Sequence, residues 1–171
     1  MTEIIRAATV ADLAAVAAVY AAYVTDSVAT FEENVPSPDD WRARHADLAA
    51  RGLPFLVADD GGRIAGYAYA TPWRPKPAYR HTAEDTIYLD PAYTGRGIGS
   101  RLLAALLDAC ATAGVRQVIA VIADTGSDAS AALHRRHGFT DAGRLTAVGF
   151  KHGRWIDTLL MQRTLPPNPA L

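Results

Sequence analysis

Gly95, Gly97 and Gly99 alternate with Arg96 and Ile98 just ahead of an apolar run, residues 102–111, and just after a strand-like stretch, residues 84–89. This succession of strand, glycine turn and helix limits the fold more than any other stretch, because it opens the first turn of a helix at the end of a strand. The first backbone N–H groups of such a helix have no partner within it, and the aligned peptide dipoles favour negative charge there. Glycine lets a bulky anion approach that backbone closely, and Arg96 adds a charge-assisted donor. A pyrophosphate fits these properties. A Walker loop is excluded because no Lys follows the second glycine at the required spacing. A dinucleotide fingerprint is excluded because the glycines are each two apart. Taken alone, the same residues also describe a glycine-rich turn entering a core helix.

The rest of the chain supplies the partners for this unit. Residues 4–7 form a short apolar strand. Thr9 to Asp12 make a variant capping box, opening a helix over about residues 10–24 in which Leu13, Val16, Val19, Tyr20 and Tyr23 recur at helical spacing. Ser37, Pro38, Asp39 and Asp40 start a second helix, which Gly52 ends. Residues 55–59 and 63–70 read as strands joined by a D-D-G-G turn, and a basic, proline-broken loop then leads to the strand at 84–89. Beyond the glycine helix, at 97–113, come a strand at 117–123, a helix at 127–137 and strands at 140–146 and 156–163. Residues 1–164 therefore read as one α/β domain with a mixed sheet, and residues 165–171 as a flexible C-terminal tail.

Composition removes several function classes. A net charge of −1 over 171 residues gives no electrostatic reason for a nucleic-acid or anionic-membrane partner. The N-terminal residues show no basic region followed by an apolar stretch, and the apolar residues 13–24 are too few to span a bilayer. A cytoplasmic protein is expected. The single cysteine, Cys110, excludes an internal disulfide and a multi-cysteine zinc site. It shares a helical stripe with Leu102, Leu103, Leu106 and Leu107, so it reads as core packing. His45, His81, His137 and His152 show no ligand spacing with nearby acids, so no metal is expected.

The strand T-I-Y-L, the loop D-P-A-Y-T-G-R-G-I-G-S, the helix R-L-L-A-A-L-L-D-A-C and the later A-L-H-R-R-H-G-F together resemble the GNAT superfamily of acyl-CoA-dependent N-acetyltransferases. In the superfamily signature Q/R-x-x-G-x-G/A, Gly97 and Gly99 fit, while Thr94 stands where Gln or Arg is usual. The flanking A-Y-A-T-P-W-R-P-K-P-A-Y-R-H-T-A-E-D and V-G-F-K-H-G-R-W-I-D resemble the phosphinothricin acetyltransferase group, which includes methionine sulfoximine acetyltransferases.

The resemblance implies a GNAT-like, mostly antiparallel sheet flanked by helices, with splayed central strands that take acetyl-CoA. The amides of Ile87, Tyr88 and Leu89 would hold the pantetheine arm, and Gly95, Arg96, Gly97, Ile98, Gly99 and Ser100 the pyrophosphate. Ser127 stands where the superfamily carries an asparagine, and His134 where it carries the tyrosine that protonates the thiolate. His134 could do so near its ordinary pKa of about 6.5, or simply pack in its helix. Glu84 matches the group's T-x-E glutamate and is the implied general base, against a plain surface-carboxylate reading; strand alternation turns Asp85 to the opposite face. Phe31, Glu32, Arg74, Pro75 and Lys76, with Glu84, would meet the acceptor, Arg74 and Lys76 holding its carboxylate or phosphinate. Tyr79 and Arg80 are second-tier candidates for the same role. The implied activity is direct acetylation of a small amino-acid-like substrate by a homodimer. A polyamine, aminoglycoside or protein amine as acceptor, and a non-catalytic acyl-CoA-binding sensor, are the alternatives. The basic loop weighs against the first, and the T-x-E context against the second.

Overall fold

In the computed structural model, which describes residues 3–167, the Asp12 carboxylate accepts the Thr9 N–H at 2.7 Å and is clamped by Arg6 at 2.7 and 2.8 Å. That box closes a 3-10 turn, Val10–Asp12, so the first helix, α1, runs Leu13–Asp26 and begins later than the apolar spacing predicts. A reciprocal Ser37–Asp40 box opens α2, Pro38–Ala50, where expected.

The strands are β1 (Ile4–Ala7), β2 (Phe55–Asp60), β3 (Arg63–Pro72), β4 (Thr82–Leu89), β5 (Gln117–Ala123), β6 (Thr140–Lys151) and β7 (Arg154–Thr164). They form one sheet in the order β1-β2-β3-β4-β5-β7-β6. Every neighbouring pair is antiparallel except β4 with β5. One face packs on α3, Ile98–Thr112, through Leu102, Leu103, Leu106 and Cys110 against Ala68, Val118 and Met161. The other packs on α1 and α2 through Val16, Trp41 and Leu48 against Val57 and Tyr67. The short α4 runs Ala129–Arg136. Both faces of the central strands are covered, which is why they read as continuous apolar stretches.

The parallel pair decides the function-bearing shape. β4 and β5 match only at Thr82–Gln117, Ala83–Val118 and Glu84–Ile119, and beyond Glu84 they part. Gly66, opposite Leu89, lets β3 follow β4 to the end of this divergence; a Cβ there would sit 2.8 Å from the Tyr88 carbonyl oxygen.

Two sequence expectations are corrected. The β6–β7 hairpin is longer than residues 140–146 and 156–163, because its register shifts between Leu145 and Gly149 and hides the strand pattern. Ala147 takes a φ of 52° there, and its N–H is held by Asp157 at 2.8 Å. Leu165, assigned to the tail, is buried in the α3-side core and donates its N–H to the Arg116 carbonyl at 2.9 Å. Residues 168–171 of the expected tail lie outside the described residues.

Candidate active site

The parting of β4 and β5 opens a cleft of about 860 Å³, running from the glycine loop to a cluster of tyrosines on α1 and the central strands. At the loop end, Gly95 and Gly97 have φ of 76° and 75°, a left-handed conformation in which a β-carbon is strained. Gly97 caps α3, and Gly95, Gly97, Gly99 and Ser100 line the cleft. Ser127 also lines it, its hydroxyl accepting the Ala129 N–H at 3.3 Å. Of the other loop residues, Ile98 has its side chain fully buried in the core, and the Arg96 guanidinium lies over the Tyr93 ring, 4.9 Å from its centre, so neither side chain stands in the cleft wall. A basic group that sequence reasoning passed over stands in the wall instead: Arg136, in the last turn of α4. Its signal was the H-R-R-H run just before Gly138.

In the middle of the cleft, alternation along β4 separates two carboxylates. Glu84 is the last residue paired with β5, and its side chain lies in the cleft wall. Among the described residues, no group hydrogen-bonds its carboxylate. Burial raises its pKa above the ordinary value, the Asp85 charge raises it further, and Arg74 pulls it back. An unbonded carboxylate with raised proton affinity is what a general base requires.

Asp85 turns to the α3–α4 side, where Oδ2 lies 2.9 Å from His134 Nε2; the two side chains are 1% and 3% exposed. His134 Nδ1 donates to the Ser130 carbonyl at 2.7 Å. Both ring nitrogens are therefore engaged, and no N–H of His134 is left to protonate a thiolate. The expected acid is corrected to the partner of a buried carboxylate. Burial alone would lower the His134 pKa, but the hydrogen bond and charge of Asp85, with the Ser130 carbonyl, hold it raised. Asp85 Oδ1 and Thr158 Oγ1, both buried in the cleft wall, have no hydrogen-bond partner.

At the far end the cleft is walled by Tyr20, Tyr23, Tyr69 and Tyr88 and by the loop residues Ala29, Thr30 and Phe31. The Tyr88 ring packs among Tyr20, Tyr23 and Tyr67, and the Tyr23 hydroxyl donates to the Leu89 carbonyl at 2.7 Å. Ile87 and Leu89 complete the strand wall. Of the residues predicted to meet the acceptor, only Phe31 and Glu84 line this cleft. Glu32 lies in a separate hollow with Asp40 and Arg44. Arg74, Pro75, Lys76, Tyr79 and Arg80 are exposed, Arg74 resting on the Trp73 ring at 4.3 Å. Among the described residues no cluster of three His, Cys, Asp or Glu could hold a metal ion, and no helix is long and apolar enough to cross a membrane.

Comparison with known proteins agrees with this geometry. Residues 18–139 match the model of the acetyltransferase (GNAT) family. Over 154 residues the chain is 49% identical to a phosphinothricin N-acetyltransferase of Alcaligenes faecalis, covering 90% of this chain and 78% of that protein. It is 40% identical to an L-methionine sulfoximine/L-methionine sulfone acetyltransferase of Pseudomonas aeruginosa, covering 98% of each. The crystal structure of a GNAT superfamily phosphinothricin acetyltransferase from Sinorhizobium meliloti in complex with AcCoA superposes with a TM-score of 0.93 at 44% identity, over 100% of this chain and 92% of that one.

Proposed function

The chain belongs to the acetyltransferase (GNAT) family, and on that premise we propose that it moves an acetyl group from acetyl-CoA to the amino group of a small amino-acid-like acceptor. Acceptors of the phosphinothricin, methionine sulfoximine or methionine sulfone type follow from the named activities of its relatives. The observation that carries the reading is the unbonded Glu84 carboxylate at the point where β4 and β5 part, inside a cleft that begins at the glycine loop.

Glu84 takes a proton from the acceptor's ammonium, directly or through one water. The freed nitrogen attacks the thioester carbon; a C–N bond forms as the C–S bond breaks, the electron pair leaves on sulfur, and the nitrogen gives up its surplus proton to solvent. β4 backbone amides beyond Glu84, released from pairing with β5, stabilise the developing oxyanion. A thiol of pKa about 8.5 leaves readily as thiolate and is protonated from solvent, so the chemistry does not need an N–H from His134. Loop amides around Gly97, with Arg136, hold the diphosphate. Acetylation would disarm a toxic amino-acid analogue, and the natural setting of such an enzyme is the cytoplasm.

A homodimer is part of the same proposal. Leu145, Val148, Phe150 and Trp155 are all exposed on the β6–β7 hairpin, with the Phe150 and Trp155 rings 4.9 Å apart. Large apolar side chains gathered this way mark an interaction surface, and light scattering on the purified protein tests it.

The function is tested by thiol release from acetyl-CoA with a panel of amines. Turnover with methionine sulfone or phosphinothricin well above that with spermidine or an aminoglycoside is expected. The reverse preference reassigns the acceptor, and coenzyme A binding without any thiol release makes the protein a sensor.

A further inference from the structure

Lys151 presents a cost that neither the fold nor the chemistry accounts for. It is 3% exposed, its ammonium donates to the Thr30 carbonyl at 2.8 Å, and among the described residues no carboxylate pairs with it. Burial lowers its pKa, and the charges of Glu33 and Glu32 offset this only in part. Removing an ammonium from water is unfavourable unless it is well paired. Here the return is a single anchored carbonyl.

That carbonyl belongs to the loop between α1 and α2, whose Ala29, Thr30 and Phe31 wall the tyrosine end of the cleft. The loop has no regular structure of its own over residues 31–37, so its place is set by outside contacts. Two residues of one hairpin supply them on one side. Lys151 holds the Thr30 carbonyl, and Gly149 takes the Phe31 ring against its backbone, where any β-carbon would overlap the ring. On the other side, the Tyr20 and Thr30 hydroxyls bond at 2.7 Å, and the Tyr88 hydroxyl donates to the Ala29 carbonyl at 3.4 Å.

We propose that Lys151, together with Gly149, is a positioning residue that sets acceptor recognition by fixing Phe31 at the tyrosine end of the cleft. It touches neither reactant; it acts through the loop. The proposal rests on the proposed acetyl transfer, with the coenzyme entering from the glycine loop and the acceptor therefore lying beyond Glu84, at the end that Phe31 walls.

Lys151→Met keeps the length of the side chain and removes the donor. The expected result is a rise of roughly tenfold or more in the acceptor KM, the scale of one lost charge-assisted hydrogen bond. The acetyl-CoA KM should stay within about twofold and kcat within about threefold, as for loss of a contact made equally in ground and transition states. Gly149→Ala should do the same by displacing the Phe31 ring, and should add little in a Phe31→Ala background, because coupled residues are not additive. Hydrogen exchange gives a readout independent of activity: amides of residues 28–34 should exchange faster in Lys151→Met while those of α3 do not change. Equal shifts in both KM values, unchanged exchange, or loss of folding in both single variants would overturn the proposal. If the wild type acetylates no amino acid, the acceptor assignment fails, and the exchange result still decides whether Lys151 holds the loop.

Discussion

Asp85 Oδ2 and His134 Nε2 stand 2.9 Å apart across the seam between β4 and α4, and almost no solvent reaches either side chain. The second His134 nitrogen is tied to Ser130, so the imidazole is fixed at both ends. A pair of this kind holds one proton between two buried groups, and removing one partner strands the other.

Asp85→Asn should therefore cost about 3–5 kcal/mol, the usual range for breaking a buried pair. The pH dependence has a definite sign. The native His134 pKa is raised above the ordinary 6.5, so the folded protein keeps a proton that the unfolded chain releases. The resulting stability is fully present below pH 6.5 and is lost as pH rises through the raised native value. Urea unfolding of wild type and His134→Gln between about pH 6 and 9 should show the difference shrinking on the alkaline side. A difference that grows with pH would exclude the charged pair.

Glu84→Gln should lower turnover at neutral pH by about 10²–10⁴-fold while coenzyme A still binds, since the amide keeps the shape and loses the basicity. The deficit should narrow at high pH, where the acceptor arrives as free amine. Wild-type activity should fall on the acid side at a pH above that of an ordinary exposed glutamate, because burial raises the Glu84 pKa. The pH–rate profiles of both proteins on one acceptor decide this, and wild-type turnover by the variant at neutral pH would place the base elsewhere.

At the loop, Gly97→Asp brings a like charge to the diphosphate at a position with φ of 75°. Arg136→Ala removes a cation from the same wall. Each should weaken coenzyme A by roughly tenfold or more, as expected for losing a hydrogen bond to a charged group. Calorimetric titration of the two variants measures it; unchanged affinity in both would move the diphosphate away from this loop.

Cys110 is fully buried, and burial, then the nearby Asp85 charge, pushes its thiol pKa up to about 12. A thiol so protonated is no nucleophile. Cys110→Ala should leave turnover within about twofold and cost about 1 kcal/mol. Mass spectrometry of the wild type with acetyl-CoA should find no acetyl group on Cys110, and finding one would replace direct transfer by a two-step route.

The features legible in the sequence are those whose signal is local. The glycine loop, both helix starts and the Cys110 stripe each arise within a few residues, and each reappears in the structure, whereas strand alternation does not take Asp85 out of the cleft wall that Glu84 also lines. The misreadings are long-range. His134 looks like a proton donor until Asp85, 49 residues away, is seen to occupy its ring. Arg136 reaches the cleft only because α4 ends beside the loop, and the hairpin carrying Lys151 was hidden by a register shift at Gly149. The basic loop at 74–80 reads as part of the site, yet it lines no part of the cleft within one chain.

The parting of β4 from β5 also bears on mechanics. The sheet is two leaves, β1 to β4 and β5 to β7, stitched along only three residues of each facing strand. A long, flexible molecule with amide groups, laid along that gap, can act as the missing thread between the leaves. Such a molecule would then brace the sheet across its most weakly paired seam as well as occupy the cleft.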